Sequence, residues 1–274
     1  VRPRAEGVPK ESRMDLSEAG RLRPDEIDET EWALRLELAA CYRVFHHLGW
    51  TESIFNHITL RIPGPEHHYL INPFGLLYSE VTARNLIRVG LDGEPVRPTP
   101  HPVNVAGFVI HSAIHRHRED AHCIMHTHTT AGMAVACKED GLRTDNFNSA
   151  QLHGRVAYHD FEGITTDTAE QPRLVASLGD KDVLILRNHG LLTTGVHLPA
   201  AFATMWCLQR ACEVQLATDS LRGPNRAIRP EVLEAIPQQA RPFRGSGDGS
   251  GPRRGQMIFD AAVRAAGVRL VDLA

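Results

Sequence analysis

The chain has 274 residues, 42% hydrophobic and 23% charged, a globular composition with enough apolar residues for a substantial core. Its formal net charge of −3 gives no electrostatic reason to expect nucleic acid or an anionic membrane as partner. No apolar run approaches the roughly 20 residues of a membrane span. The five cysteines (Cys41, Cys123, Cys137, Cys207, Cys212) include no C-x-x-C, and the polar start Val1 to Arg23 has no apolar signal stretch, so a reduced, cytoplasmic protein is expected.

Residues 1–27 read as a flexible tail. Asp28 and Glu31 then have capping-box spacing, and Leu34, Leu38, Cys41, Phe45 and Leu48 recur at three and four before Gly49, which predicts an amphipathic helix with a glycine stop. Ile58, Leu60 and Ile62 alternate with Thr59, Arg61 and Pro63 as in a half-buried strand. Pro63-Gly64-Pro65 turns the chain into a return strand at Tyr69-Leu70-Ile71, and Leu86 to Leu91 predicts another. Val103 to His117 is helical in pattern, His122 to Met125 is a short apolar strand leading into His126, and Thr130 to Cys137 predicts a small helix. Val183 to Leu186 is a continuous apolar run, typical of a strand covered on both faces, and it feeds Asn188-His189-Gly190. Pro199 suits the first turn of a long helix lined by Phe202, Met205, Trp206, Cys212 and Leu216 and closed by Gly223-Pro224. Residues 238–255 read as a Gly-, Arg- and Pro-rich loop and Met257 to Ala266 as a last short helix. One α/β domain over 28–226, completed by a loop and helix in 227–274, is the economical division.

Sixteen histidines are the compositional anomaly. His126 and His128 project together if a strand runs through them, and His189 sits just beyond another buried strand, where Gly190 lets backbone approach closely. Three imidazoles with one open position suit a catalytic divalent metal, and neutral imidazole serves Zn, Fe, Ni, Cu or Mn. His-x-His also arises as plain surface or core polarity. His111 and His115, at i and i+4 of the expected helix, form a rival ligand pair; the reading preferred here packs His111 near the pocket and leaves His115 and His117 solvated.

Five ordered segments resemble the class II aldolase/adducin family, especially its adducin-like branch. They are Phe55-Asn56-His57-Ile58-Thr59-Leu60-Arg61, the run from Leu70 to Thr82, Gly107 to Ile114, His126-Thr127-His128-Thr129, and Arg187-Asn188-His189-Gly190-Leu191-Leu192. The resemblance spans about residues 30 to 220. It implies a three-layer α/β/α sandwich around a mixed, largely antiparallel sheet, and a homotetramer with active sites at subunit interfaces. It also implies one divalent ion per subunit on His126, His128 and His189, zinc first and iron(II) or manganese as alternatives, which polarises a small-molecule substrate's carbonyl.

The departures bear on function. Sugar-phosphate aldolases of the family carry a proton-transferring glutamate where Gly107 aligns, and a tyrosine general acid near Phe147. Their phosphate cradle becomes Phe55-Asn56, Phe74-Gly75 and Val105-Ala106, and a phosphate desolvated against Phe and Val would lack donors. Phe55, Asn56, Phe74 and Gly75 are therefore the expected substrate-binding residues, for a non-phosphorylated substrate. No catalytic residue is assigned; Glu80, His111, His153 and His159 are acid–base candidates by type. Tail arginines such as Arg229, Arg241, Arg244, Arg253 and Arg254 either cap an acidic substrate or form a solvated loop. Three functions stay open. The first is a metal-dependent lyase, by aldol cleavage or decarboxylation, acting on a small hydroxy- or keto-acid. The others are a non-haem-iron oxygenase/decarboxylase of an aromatic keto-acid and a non-catalytic adducin-like assembly module.

Overall fold

Alternation along the strands decides the architecture. The computed structural model describes residues 16–239 and 252–274. Its strands are β1 (His57–Arg61), β2 (Tyr69–Ile71), β3 (Ile87–Val89), β4 (Cys123–Thr127), β5 (Val156–His159), β6 (Val183–Leu186) and β7 (Gly190–Gly195). They form one sheet in the order β3-β2-β1-β4-β7-β6-β5, antiparallel at every pairing except β5–β6. The helices are α1 (Leu16–Gly20), α2 (Glu29–Leu48), α3 (Val105–His117), α4 (Thr130–Ala136), α5 (Phe147–Ala150), α6 (Gln171–Leu178), α7 (Leu198–Asp219), α8 (Pro230–Gln239) and α9 (Gln256–Ala265).

Successive strand residues serve opposite layers. Cys123, Met125, Val183, Ile185 and Leu191 join the core beneath α2, α4, α7 and α9. Ile124, Leu184, Leu186 and Leu192 join a second core with Ile110 and Ile114 of α3 and Leu174 and Leu178 of α6. The result is the expected three-layer sandwich around a mixed, largely antiparallel sheet. No described helix is long and apolar enough to cross a membrane.

Helix α2 begins and ends as its sequence predicts. Asp28 accepts from the Glu31 amide at 2.8 Å, and Gly49 closes the helix at φ 70°. The Glu31 carboxylate is engaged elsewhere, by Arg35 and Arg88. Tyr42 of α2 ties the helix to the sheet: its hydroxyl donates to the Ile58 carbonyl at 2.5 Å and accepts from the Ile58 and Asn72 amides.

Several expectations are corrected. Strand β1 is buried along its whole length rather than half-buried, because α3 covers the face carrying Thr59 and Arg61. The flexible tail does not extend to residue 27. Helix α1 packs there, Ala19 and Ile27 are buried, and the Trp32 indole donates to the Ala19 carbonyl; residues 1–15 lie outside the described residues. Helix α7 ends at Asp219, short of Gly223-Pro224. Strands β5 and β7 and helices α5, α6 and α8 add to the elements that the sequence pattern predicts. Most of the expected loop 238–255 lies outside the described residues. Helix α9 buries Phe259 against Phe202, with ring centroids 5.3 Å apart, in the core shared with α2 and α7.

Candidate metal centre

Strands β4 and β7 lie side by side, with His126 opposite Leu192 and Thr127 opposite Leu191. His126 is the penultimate residue of β4, on the α3 face, and His128 follows just past the strand. His189 sits in the turn from β6 to β7. There Asn188 takes a left-handed φ of 55°, a conformation asparagine tolerates better than most residues, while its amide donates to the Ala136 carbonyl. Gly190 is required by close approach: a Cβ would lie 2.4 Å from the Thr127 carbonyl oxygen and 3.0 Å from the His128 ring.

The three ligand nitrogens lie within 4.8 Å of one another. His126 Nε2 is 2.7 Å from His128 Nε2 and 3.3 Å from His189 Nε2. His126 Nδ1–H donates to the Leu191 carbonyl at 2.9 Å, which leaves its Nε2 as a lone pair aimed at the other two rings. The residues present fit a divalent cation: three imidazole nitrogens converge, one oriented by a backbone carbonyl. Burial pushes all three pKa values down. His126 is held well below the ordinary value by desolvation and by His128 and His189, His128 is lowered mainly by desolvation, and His189 falls to about 4. Neutral imidazole is the form that binds metal.

The triad opens into a cavity of about 270 Å³ lined also by His57, Phe55, Phe74, Asn104, Phe161 and Ile164. Phe55 and Phe74 both line it, with ring centroids 6.3 Å apart. Asn56 and Gly75 do not line the cavity. The Asn56 amide donates to the Trp50 carbonyl and its side chain is buried, because the preceding turn points it away. Gly75 is exposed in a turn at φ 98°.

The acid–base candidates are not brought together. Glu80 caps a short 3-10 turn by accepting from the Leu77 amide, and His153 is exposed. His159 is held between Ser177 and Glu170. Phe147 is exposed at the start of α5. Arg253 pairs with Glu37 and Arg254 lies near Asp182, while Arg229 pairs with Glu231; none lines the cavity, and Arg241 and Arg244 lie outside the described residues.

His111 and His115 are not a ligand pair. His115 is fully buried rather than solvated, whereas His117 is exposed. His111 Nδ1 and His115 Nε2 both lie 2.8 Å from Thr59 Oγ1, and His111 Nε2 lies 3.0 Å from His57 Nδ1. His57 was missed as a site residue. The available signal was its period-two spacing with Thr59 on β1, opposite two histidines at i and i+4 of a helix.

A family model described as Class II Aldolase and Adducin N-terminal domain matches residues 36–216. The chain belongs to the class II aldolase/adducin family. The crystal structure of an aldolase II superfamily protein from Pseudomonas syringae superposes with TM-score 0.80 at 42% identity, over 88% of this chain and 95% of that one. L-fuculose 1-phosphate aldolase from Glaciozyma antarctica gives TM-score 0.73 at 28% identity, over 90% and 95%. Alpha-adducin of Rattus norvegicus is 43% identical over 245 residues, 86% of this chain but 33% of adducin's own length. The family thus includes proteins named as enzymes and proteins named as adducins, both at substantial identity.

Proposed function

We propose that this chain is a metal-dependent carbon–carbon lyase acting on a small, non-phosphorylated hydroxy- or keto-acid. The observation that carries the reading is the convergence of His126, His128 and His189 beside a cavity walled by Phe55, Phe74 and Phe161. A divalent ion held there, zinc before iron(II) or manganese, would supply Lewis-acid polarisation of a substrate carbonyl. The chain's own residues bind and orient. Leu191 fixes the His126 ring through its carbonyl, and the phenylalanines exclude water and favour an apolar substituent over a phosphate. Phe161 and Ile164 are exposed beside the site, and a homotetramer that covers them belongs to the same reading.

Elemental analysis of untagged protein beside a His126→Ala variant tests the proposal. We expect near one divalent ion per subunit, lost in the variant. Zinc or manganese leads to aldol and decarboxylation screens. Stoichiometric iron with substrate-dependent oxygen uptake would replace the lyase by an oxygenase. The 43% identity to alpha-adducin supports a second reading, a non-catalytic assembly module. Native protein that takes up no metal even after reconstitution would move the conclusion there.

A further inference from the structure

A run of hydrogen bonds starts outside the triad and ends inside its cavity. At the far end His115 Nδ1 lies 3.0 Å from the Ala121 carbonyl oxygen, which can only accept, so His115 Nδ1 carries the proton. A neutral His115 then has a bare Nε2, and the Thr59 hydroxyl donates to it at 2.8 Å. With its one proton spent, Thr59 Oγ1 accepts from His111 Nδ1–H at 2.8 Å. His111 Nε2 is thereby an acceptor, and His57 Nδ1–H donates to it at 3.0 Å. His57 Nε2 is left with a lone pair. Thr59 and all three rings are at most 2% exposed, and burial lowers the His115 pKa to about 3. One backbone carbonyl thus sets the tautomer of three imidazoles in turn.

His57 lines the triad's cavity. It is the cross-strand partner of His126, with ring centroids 5.0 Å apart. It also explains Gly107. A Cβ at that position would lie 2.9 Å from His57 Cγ and Cδ2 and 3.2 Å from Nε2, so the ring rests on bare helix backbone. Absence of a side chain at 107 and presence of an imidazole at 57 are one arrangement.

We propose that His57 Nε2 is a fixed hydrogen-bond acceptor beside the metal site, selecting substrates that present a hydroxyl proton there: α-hydroxy acids or α-hydroxy ketones over their deoxy counterparts. Thr59, His111 and His115 are positioning residues that act through His57. The substrate class rests on the lyase reading above; the tautomer chain does not.

Two measurements separate the readings. Long-range ¹H–¹⁵N correlation spectra of ¹⁵N-histidine-labelled protein at pH 7.5, with the His57 signal assigned by its loss in His57→Phe, should show the Nδ1–H tautomer. In Thr59→Val, which keeps shape but removes the hydroxyl, His57 should shift toward the Nε2–H form. Calorimetry of zinc-loaded protein with glycolate and with acetate then reads selection. Wild type should prefer glycolate, and His57→Phe should lose about tenfold of that preference with zinc still bound. An Nε2–H His57 in the wild type, or an unchanged preference in His57→Phe, overturns this inference. Failure of the wild type to bind zinc or any other divalent ion, with the tautomers as stated, overturns the lyase reading and the substrate class with it, and leaves the tautomer chain standing.

Discussion

Two buried polar clusters in this molecule are built on opposite principles. The Glu31 carboxylate, wholly buried in α2, receives Arg35 at 2.8 Å and Arg88 at 2.9 Å, while Arg35 also donates to the Ala83 and Leu86 carbonyls. Donors meet acceptors and charges meet counter-charges, so the cluster is closed. At His126, His128 and His189 three ring nitrogens converge on one another instead, and among the described residues only His126 has its second nitrogen tied to backbone. Completed polarity holds a fold together. Converging acceptors beside a cavity are retained at a cost to stability and point to a ligand.

Acid should act on the histidine side of this contrast and give the largest effect. His57, His111, His115, His126, His128, His189 and His197 all have folded-state pKa values below the ordinary 6.5, chiefly through desolvation. The unfolded chain therefore binds more protons between the two values, and stability rises with pH in that window. It is intact above about pH 6.5 and lost as the pH falls toward about 4 for His189 and His197 and about 3 for His115. Thermal melts from pH 7.5 to 4 should show a steep fall that excess zinc moves to lower pH. A flat profile over that range would break the contrast.

Glu31→Ala should come next. It leaves the Arg35 guanidinium, 4% exposed, without its carboxylate, a loss of about 3–5 kcal/mol. Chemical denaturation should report that loss while the metal content of the folded fraction stays unchanged. A loss under about 1 kcal/mol would show the cluster to be no more than surface-like. Gly190→Ala probes the other cluster from behind. Its Cβ would press on the Thr127 carbonyl and the His128 ring, so about 1–3 kcal/mol of stability should disappear. Metal affinity should fall with it, read by competition against a chelator; unchanged affinity would mean that the close approach of β7 does not set the triad.

The fold was legible wherever a local rule and the global structure agreed. Asp28 and Gly49 bracket α2 by capping chemistry, and Val183 to Leu186 reads as a strand because its two neighbouring layers both demand apolar side chains. Strand β5 carries a half-buried, weakly alternating Val156-Ala157-Tyr158-His159, which gives no clear period. The triad was legible because His126, His128 and His189 fall in two of the five ordered segments that carry the family resemblance; among sixteen histidines, His-x-His alone would not have singled them out. His57, Thr59 and His115 were not, since each is unremarkable alone and their chemistry exists only once α3 lies across β1. Asn56 misled for the converse reason: its residue type suits a ligand contact, but its side-chain direction is set by the turn at Trp50.

The separation of the ligands along the chain sets an order of assembly. His128 and His189 are about sixty residues apart and meet only through the long-range pairing of β4 with β7. No fragment shorter than that span can present the triad, so a cation that needs all three rings would find them together only after β4 and β7 have paired. A cation bound there would add about 4 kcal/mol at a thousandfold excess over its Kd. That stabilisation would fall on the opening of one seam, so the amides of Leu191 and Leu192 should slow their hydrogen exchange on metal addition more than those of β2 and β3 at the far edge of the sheet.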